Sequence, residues 1–445
     1  MKAIRFLGFL GLLVGVPLSG AFAHGYGEKP ITLSGRVNCP LVPHSGGKVF
    51  LQVSIVTPTF HVPRQKPKNV SIVLDRSGSM ADEGKIHYAK SALLAIVDQL
   101  SPEDLLSVVI YDDVVEVLRP ARRVKNKTEI HRLIERIQPR GSTNLGGGMI
   151  EGLKQAQKFA SKEFVNRVIL LSDGLANQGI TSPAHLQKIA RNYRSEFSIS
   201  LTTMGVGLDY NENLMVGLAE YGGGNYYFIE SPHSIAHILH REFDAMTTIL
   251  AQNAILDIRL GDGVALRDVI GYQWKEENGR YQVLLGDLYS NRTQEITVEL
   301  EVPQGTGSMT VARGSLAYAA PSGQGSTPEF ASDIEYSRDV AKVEGSRDLE
   351  VQAKADVAVS TRTVERAMEA LDSGNPEDAL LGLEEAAGQL AASPAAGSAS
   401  GGSFIKEQKY RLEMFKETLK DSSGDHRRAK KAIQYDNYQI QKNNQ

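Results

Sequence analysis

The sequence is poor in cysteine, since Cys39 is the only one among its 445 residues. A single thiol excludes an internal disulfide framework and any zinc site built from cysteines. The stability of the chain must therefore come from packed hydrophobic cores. Cys39 itself is expected to be a small buried apolar residue rather than a nucleophile.

Several signatures of nucleotide and hydrolase chemistry are also missing. The sequence contains no G-x-x-x-x-G-K-[ST] loop and no G-x-G-x-x-G after the first α/β strand, although glycine triplets occur at 146–148 and 222–224. It has no G-x-S-x-G, the usual surroundings of a hydrolytic serine. The formal net charge is −3 and the basic residues form no block, so nucleic acid is not expected as a partner.

Long apolar runs are absent after the N-terminus, so no later segment is expected to span a membrane. Residues 1–23 place two basic residues before the apolar "FLGFLGLLVGVPL" and end in "AFA". This order is typical of a cleaved export signal, and a mature chain starting near His24 would lie in the periplasm, on the cell surface or outside the cell. An uncleaved membrane anchor is the alternative, but its apolar run is shorter than the ~20 residues a spanning helix needs.

Residues 69 to about 250 alternate short β-branched runs with stretches of helical period. This pattern indicates a doubly wound, mostly parallel α/β domain with the strand order 3-2-1-4-5-6. Only two residues separate the second and third strands, so the third is expected to run antiparallel at an edge. The predicted strands are 70–74, 105–111, 114–118, 167–172, 198–207 and 225–229.

The segments on either side of this domain differ from it. Residues 30–60 and 251–320 alternate apolar and polar residues, as half-exposed antiparallel strands do. Because two strands alone are marginal in water, we expect the N-terminal pair to complete the later strands into one β-sandwich with the α/β domain inserted in it. Two independent strand units are the alternative.

The region after residue 335 is helical, with "SGNP" as the turn of a hairpin. The later helix "SFIKEQKYRLEMFKETLK" and the polar tail beyond it are expected to be loosely packed. The expected organisation comprises a signal peptide (1–23), an N-terminal β segment (24–67), the α/β domain (68–250), the β-sandwich remainder (251–325), a helical hairpin (335–392), a flexible linker (393–403) and a C-terminal helix and tail (404–445).

Oxygen-bearing side chains gather where two neighbouring strands should end. "NVSIVLDRSGSMAD" delivers Asp75, Ser77 and Ser79 to the tip of strand 1, and "LLSDG" delivers Asp173 to the tip of strand 4. "RGSTNLGGG" places Thr143 on the same rim. Ligands of such sheets bind at this switch point, and a set of oxygen donors without nitrogen or sulfur selects a hard cation: Mg²⁺, Mn²⁺ or Ca²⁺.

The elements "DRSGSM", "GSTN" and "SDG" resemble the metal-ion-dependent adhesion site of von Willebrand factor type A domains, including integrin inserted domains. The resemblance covers about residues 68–250. The flanking segments are more weakly similar to bacterial secreted proteins likened to inter-α-trypsin-inhibitor heavy chains or calcium-activated chloride channels.

The resemblance implies that Ser77, Ser79 and Thr143 are hydroxyl ligands, while Asp75 and Asp173 hold metal-bound waters or ligate directly. Neutral hydroxyl ligands leave the charge of the cation incompletely balanced, so the expected sixth ligand is an Asp or Glu carboxylate of a partner protein. Gly78, Gly141 and Gly174 are expected to let the loops turn tightly.

Two other groups of residues carry a weaker signal. His233, His237 and His240 share one face of a predicted helix, where a zinc or copper site competes with an ordinary polar face. Asp112 and Asp113 either border the rim or form a turn, and the turn is favoured.

The leading hypothesis is an exported, non-enzymatic protein that binds a partner protein through a shared divalent cation. A metal-dependent hydrolase is disfavoured, because the sequence places no additional Glu or His near the rim as a general base. A scaffold with a purely stabilising metal is the third possibility. The sequence does not indicate an oligomeric state.

Overall fold

The computed structural model describes residues 30–59, 66–173, 176–320, 323–421 and 426–442, except the side chains of Pro232, His233 and Ala236. The expected export signal at 1–23 lies outside the described residues, and so does Gly174. Among the helices of the described residues, none is long and apolar enough to cross a membrane.

The described residues begin with three strands, which the α/β domain follows. The first three strands are β1 (Thr32–Val37), β2 (Leu41–Pro43) and β3 (Gly47–Val56). The strands of the α/β domain are β4 (Lys68–Asp75), β5 (Leu105–Tyr111), β6 (Val115–Arg123), β7 (Val165–Ser172), β8 (Ile199–Val206) and β9 (Gly223–Ile229). Its helices are a 3₁₀ segment (Gly78–Gly84), α1 (Lys85–Gln99), α2 (Lys127–Glu135), α3 (Leu145–Gln157), α4 (Pro183–Phe197), α5 (Glu212–Gly222) and α6 (Pro232–Thr247).

The second half of the chain adds further strands and then helices. The strands are β10 (Ile249–Leu260), β11 (Ala265–Val269), β12 (Trp274–Glu277), β13 (Arg280–Tyr289), β14 (Thr293–Val302), β15 (Ser308–Ala320), β16 (Gly323–Ser326) and β17 (Phe330–Ser337). The helices are α7 (Val340–Gly345), α8 (Leu349–Asp372), α9 (Pro376–Ala391), α10 (Gly402–Lys420) and α11 (Arg427–Gln441).

The α/β domain has the predicted doubly wound sheet. Its strand order is β6-β5-β4-β7-β8-β9, and β4 runs parallel to both β5 and β7. The edge strand β6 is antiparallel to β5, as predicted. It continues through Pro120 to Arg123, beyond the predicted end at 118, because an edge strand tolerates a residue that cannot donate to the ladder.

Helices cover both faces of this sheet. Every residue of β4 is buried, as expected for a parallel strand that has helices on both sides. On one face α1 packs Ile86, Ala89 and Leu93 into the core, and on the other α3 packs Met149 and Leu153. These two layers fix the carboxyl ends of the strands on one rim of the domain.

The N-terminal strands complete a β-sandwich. β3 lies between β1 and β14, and β2 pairs with β17. The two sheets have the orders β1-β3-β14-β11 and β12-β13-β10-β15-β17-β2, with β16 on β15. The second sheet therefore extends beyond residue 325, where we expected the sandwich to end. Two independent strand units are excluded because the N-terminal strands pair with strands from the far side of the insertion.

Both ends of the inserted domain meet the sandwich at one place. The backbone N–H of Asn291 donates to the carbonyl of Pro58 at 3.0 Å, and that of Ser290 donates to the carbonyl of Thr248 at 2.7 Å. The chain thus leaves and re-enters the sandwich beside the same turn. An insertion with adjacent ends disturbs its host domain little.

A buried ionic cluster joins the two domains. The Arg167 guanidinium on β7 lies 3.4 Å from Glu242 on α6 and 3.2 Å from Asp287 on β13, and the side chain of Arg167 is fully buried. Burial alone would lower the pKa of Arg167, but the two carboxylates hold it above its usual range. The contact therefore places paired charges in the interior between domain and sandwich.

The C-terminal helices pack more closely than predicted. The predicted hairpin corresponds to α8–α9, but it begins at Leu349 and not at residue 335, because Phe330–Ser337 form β17 and Val340–Gly345 form α7. Residues 393–401, predicted as a flexible linker, form hydrogen-bonded turns in which Ala395 is fully buried. The polar tail after α10, expected to be loosely packed, contains the helix α11, which buries Ile433 and Tyr438. The Tyr438 ring lies edge-on to Tyr226 of β9, with 5.6 Å between the ring centroids. This aromatic contact anchors α11 to the α/β domain.

Candidate cation site

Two neighbouring parallel strands end at the predicted switch point. Asp75 is the last residue of β4, and Asp173 directly follows β7. Both carboxylates are fully buried in the described structure. The sequence-based expectation that these two side chains share a rim is therefore met in the structure.

Asp75 is held by hydrogen bonds on both of its oxygens. The backbone N–H of Ser77 donates to Oδ1 at 2.8 Å. The hydroxyls of Ser172 and Tyr111 donate to Oδ2 at 2.7 Å and 3.3 Å. Burial raises the pKa of Asp75 to about 6, against the opposing effect of the bonds from Ser77 and Ser172. The carboxylate is thus fixed in position before any ligand arrives.

The two serines form a chain of hydroxyls that leads from Asp75 to Asp173. Ser77 Oγ lies 3.1 Å from Ser79 Oγ, and Ser79 Oγ donates to Asp173 Oδ1 at 3.0 Å. The two serines are separated by one residue, and both hydroxyls lie on the side of the loop that faces Asp173. Four of the predicted residues therefore lie in one contiguous cluster.

Thr143 reaches the same rim through its loop. The backbone N–H of Gly78 donates to the carbonyl of Gly141 at 3.0 Å, which joins the two loops. Thr143 is buried, and its backbone N–H donates to Asn177 Oδ1 at 3.0 Å. We call Asp75, Ser77, Ser79, Thr143 and Asp173 the rim cluster.

The predicted loop glycines play different parts. Gly141 has a φ of +71°, and a Cβ there would lie 2.1 Å from Asp113 Oδ1, so the turn requires glycine. Gly78 is outside the left-handed region, and a Cβ would meet the carbonyl of Gly141 at an ordinary 3.4 Å. The expectation that Gly78 supplies a tight turn is therefore wrong, since its backbone conformation is open to other residues.

Sequence reasoning missed a lysine that contacts the rim cluster. Lys85 Nζ lies 3.0 Å from Asp173 Oδ2 and 2.6 Å from Asp209 Oδ2, and its side chain is only 1% exposed. Burial lowers the pKa of Lys85, but the hydrogen bonds to Asp209 and Asp173 outweigh it, so the pKa is raised. A lysine at the start of a helix ordinarily faces solvent, so no local sequence pattern indicates this contact.

Asp112 forms the predicted turn and also binds two arginines. The backbone N–H of Val114 donates to Asp112 Oδ1 at 2.7 Å, which closes the turn. Arg76 Nε and Arg140 Nε donate to Oδ2 at 2.8 Å and 2.7 Å. Asp112 therefore ties the loop after β4 to the loop that carries Thr143.

The remaining candidates lie elsewhere. His237 and His240 are exposed on α6, and His240 pairs with Asp244 at 2.5 Å, while the side chain of His233 is outside the described part. Cys39 is buried in the sandwich core as predicted. Burial raises the pKa of its thiol, which makes it a poor nucleophile.

The donor set of the rim cluster suits a hard divalent cation. It offers two carboxylates and three hydroxyls, and these oxygen donors match the ligand preference of Mg²⁺, Mn²⁺ and Ca²⁺. Among the described residues, no three His, Cys, Asp or Glu side chains come together as metal ligands. A cation here would therefore depend on the hydroxyls as well as the carboxylates.

The comparisons with known proteins agree with this geometry. The family model of the von Willebrand factor type A domain matches residues 69–241. These residues form a von Willebrand factor type A domain. The match covers the sheet and the loops that carry the rim cluster. Domains of this family often bind a divalent metal at such a site.

Bacterial and animal proteins match parts of the chain. The chain is 29% identical to the uncharacterized protein YfbK of Escherichia coli over 56% of its own length and 44% of that protein. It is 25% identical to the uncharacterized protein sll0103 of Synechocystis over 76% of its own length and 82% of that protein. Inter-alpha-trypsin inhibitor heavy chain H3 of Rattus norvegicus is 29% identical, over 38% of this chain and 20% of that one. The resemblance to heavy chains is thus confirmed, although the chain spans under half of the first and third of these relatives.

A solved structure shares the fold. The protein described as von Willebrand factor type A from Catenulispora acidiphila superposes with a TM-score of 0.70 at 15% identity, over 93% of this chain and 98% of that one. This agreement extends beyond the von Willebrand factor A domain to the sandwich and the C-terminal helices.

Proposed function

We propose that this protein binds a partner protein through a divalent cation held at the rim cluster. The observation that carries the proposal is the convergence of its oxygen donors at one strand-end rim, where Ser77, Ser79 and Asp173 are in hydrogen-bond contact. The von Willebrand factor A domain supports it, because domains of this family commonly mediate protein interactions and adhesion.

The proposed roles follow the chemistry of the side chains. The hydroxyls of Ser77, Ser79 and Thr143 would ligate the cation, and Asp75 and Asp173 would hold its bound waters or ligate it directly. Mg²⁺ is the favoured cation, with Mn²⁺ or Ca²⁺ as alternatives. The cation would supply an electropositive coordination position for an incoming oxygen ligand.

The partner would complete the site with an Asp or Glu carboxylate. Three of the five donors are neutral, so the ligand set does not fully balance the charge of a divalent cation. An anionic oxygen from outside is therefore favoured over a neutral one. Binding of this kind needs no catalytic group, and we propose that the protein is not an enzyme.

We further propose that the protein acts outside the cytoplasm. The support is the signal-like order of residues 1–23, with two basic residues, an apolar run and a small-residue cleavage motif. The partner would accordingly lie in the periplasm, on the cell surface or outside the cell.

The test is a pull-down from an envelope fraction of the source organism with the mature protein as bait. The bait is used in Mg²⁺, in EDTA, and as the variant Asp75→Ala. Asp113→Ala is the matched control, because it removes an exposed carboxylate from the same side of the domain. We expect a protein retained by wild type and Asp113→Ala only in Mg²⁺. Retention that persists in EDTA and in Asp75→Ala would refute the proposal.

A further inference from the structure

Lys85 places a fixed positive charge directly on the rim cluster. The two oxygens of Asp173 accept hydrogen bonds from different donors. Oδ1 accepts from Ser79 Oγ and Oδ2 accepts from Lys85 Nζ, at 3.0 Å each. The lysine side chain is 1% exposed, so water screens its charge poorly. A metal ion that binds Asp173 would therefore share this carboxylate with the positively charged Lys85 side chain.

The ion pair continues away from the rim to the last helix. Asp209, three residues after the end of β8, accepts from Lys85 through Oδ2 at 2.6 Å and from Arg427 through Oδ1 at 3.0 Å. Arg427 is the first residue of α11. We call Asp173, Lys85, Asp209 and Arg427 the charge chain, because their signs alternate from the rim cluster to α11.

The position of α11 at this end is fixed by further contacts. Lys431 Nζ lies 3.7 Å from the centre of the Tyr210 ring and 2.8 Å from Glu212. Lys431 is buried, and it follows Arg427 by one helical turn. The N-terminal turn of α11 is therefore held beside Asp209 by a neighbouring ion pair and a cation–π contact.

We propose that Lys85 is a positioning residue that weakens cation binding at the rim cluster, and that Asp209 relieves this effect by drawing the lysine charge toward itself. The inference rests on the proposed function, because it concerns the affinity of the same site. Removing the lysine charge removes the positive charge that competes with the cation for Asp173. Removing the Asp209 charge leaves Lys85 with Asp173 as its remaining partner in the charge chain.

The two substitutions thus shift cation affinity in opposite directions. Lys85→Gln keeps an N–H donor for Asp173 but removes the charge, and Mn²⁺ should bind at least about tenfold more tightly. Asp209→Asn should weaken Mn²⁺ binding by about three- to tenfold. Arg427→Gln should strengthen it by no more than about threefold, because Arg427 and Asp209 are 60% and 47% exposed and are screened by solvent.

The experiment is a Mn²⁺ titration of the full chain at low salt, followed by calorimetry or by the electron paramagnetic resonance signal of free Mn²⁺. Arg428→Gln is the matched control, because Arg428 lies next to Arg427 on α11, is 69% exposed and pairs with Glu230 instead. The Mn²⁺ affinity of Arg428→Gln should equal that of the wild type. A thermal melt of each variant confirms that it is folded, and Lys85→Met replaces Lys85→Gln if the latter is not.

The outcomes separate this inference from the proposed function. Opposite shifts for Lys85→Gln and Asp209→Asn support it, since a merely structural role would weaken binding in both. Equal affinities, or shifts of the same sign, overturn the proposed role of Lys85. In that case, loss of Mn²⁺ binding in Asp75→Ala would still support a cation site at the rim cluster. Absence of Mn²⁺ binding in wild type overturns both.

Discussion

Gly148 and Gly388 both lie inside α-helices, but their surroundings differ. A Cβ on Gly148 of α3 would come within 2.4 Å of the Tyr111 ring, whereas nothing lies within 4 Å of one on Gly388 of α9. Tyr111 is fully buried and donates to Asp75 at 3.3 Å. The glycine triplet at 146–148 thus allows close packing behind the rim cluster.

Alanine at these two glycines should have opposite effects. Gly388→Ala should raise the free energy of unfolding by about 0.5–1 kcal/mol, because alanine favours the helix. Gly148→Ala should lower it by about 1–3 kcal/mol through overpacking against Tyr111. Urea denaturation measures both values. Equal effects of the two substitutions would contradict this account of α3 packing.

The buried arginine between the domains makes a second residue-level prediction. Arg167→Met leaves Glu242 and Asp287 buried without their cation, which should cost about 3–5 kcal/mol of unfolding free energy. Arg122→Met is the control, since its pair with Glu129 is exposed and should be worth no more than about 1 kcal/mol. Urea unfolding curves that shift equally for the two variants would show that the buried cluster does not hold the domains together.

Single residues also show the limits of sequence reasoning. The positions of Asp75 and Asp173 could be predicted, because strand ends in a doubly wound sheet are fixed by topology. Lys85 could not, because its burial depends on Asp173 and Asp209, which lie 88 and 124 residues away along the chain. Long-range ion pairs of this kind leave no local pattern.

At the scale of elements, periodic patterns predicted the α/β strands and helices well. The edge strand β6 extends to Arg123, beyond the predicted end at 118, because its edge position tolerates Pro120. Ser182 and Ser231 are the N-cap residues of α4 and α6, each followed by a proline, but their side chains make no capping hydrogen bond. The packing of α11 could not be predicted because this helix is hydrophilic. Most of its buried residues are polar or aromatic, so they form no apolar stripe in the sequence.

The docking of α11 should weaken in acid. Burial opposes ionisation of Glu212, but Lys431 and Lys430 outweigh it and hold the pKa of Glu212 below its usual 4.5. The unfolded chain therefore takes up a proton at higher pH than the folded one. The stability from this pair is fully present above the unfolded pKa and is lost as the pH falls through the folded pKa.

The variant Glu212→Gln isolates this contribution. The difference in urea midpoint between wild type and Glu212→Gln should be constant above about pH 5.5 and should shrink as the pH falls below 4.5. A difference that grows in acid would contradict the ion pair. The same measurement on Glu129→Gln, which alters an exposed pair, should show no comparable trend.

At the scale of the whole molecule, the sandwich depends on strands from both ends of the insertion. A fragment of residues 249–337 lacks β3, the central partner of β14, and should not unfold cooperatively in urea. Joining residues 30–59 to it through a short glycine–serine linker should restore a cooperative transition, because Pro58 and Thr248 both contact the turn at 290–291. Cooperative unfolding of the shorter fragment would show that the N-terminal strands are dispensable.

The insertion of the α/β domain into the β-sandwich could be predicted from the sequence. Two N-terminal strands cannot form a stable sheet alone, which forced their pairing with later strands. The number of strands could not be predicted, since short elements such as β2 and β16 carry too few residues for a periodic signal.

The most direct test of the central claim is an anomalous difference map from crystals of the full chain soaked in Mn²⁺. A cation at the rim cluster predicts a peak among the hydroxyls of Ser77, Ser79 and Thr143 that is absent from crystals of Asp75→Ala. A map with no peak at this rim, from crystals that diffract well and contain Mn²⁺ in the solvent, would contradict the account.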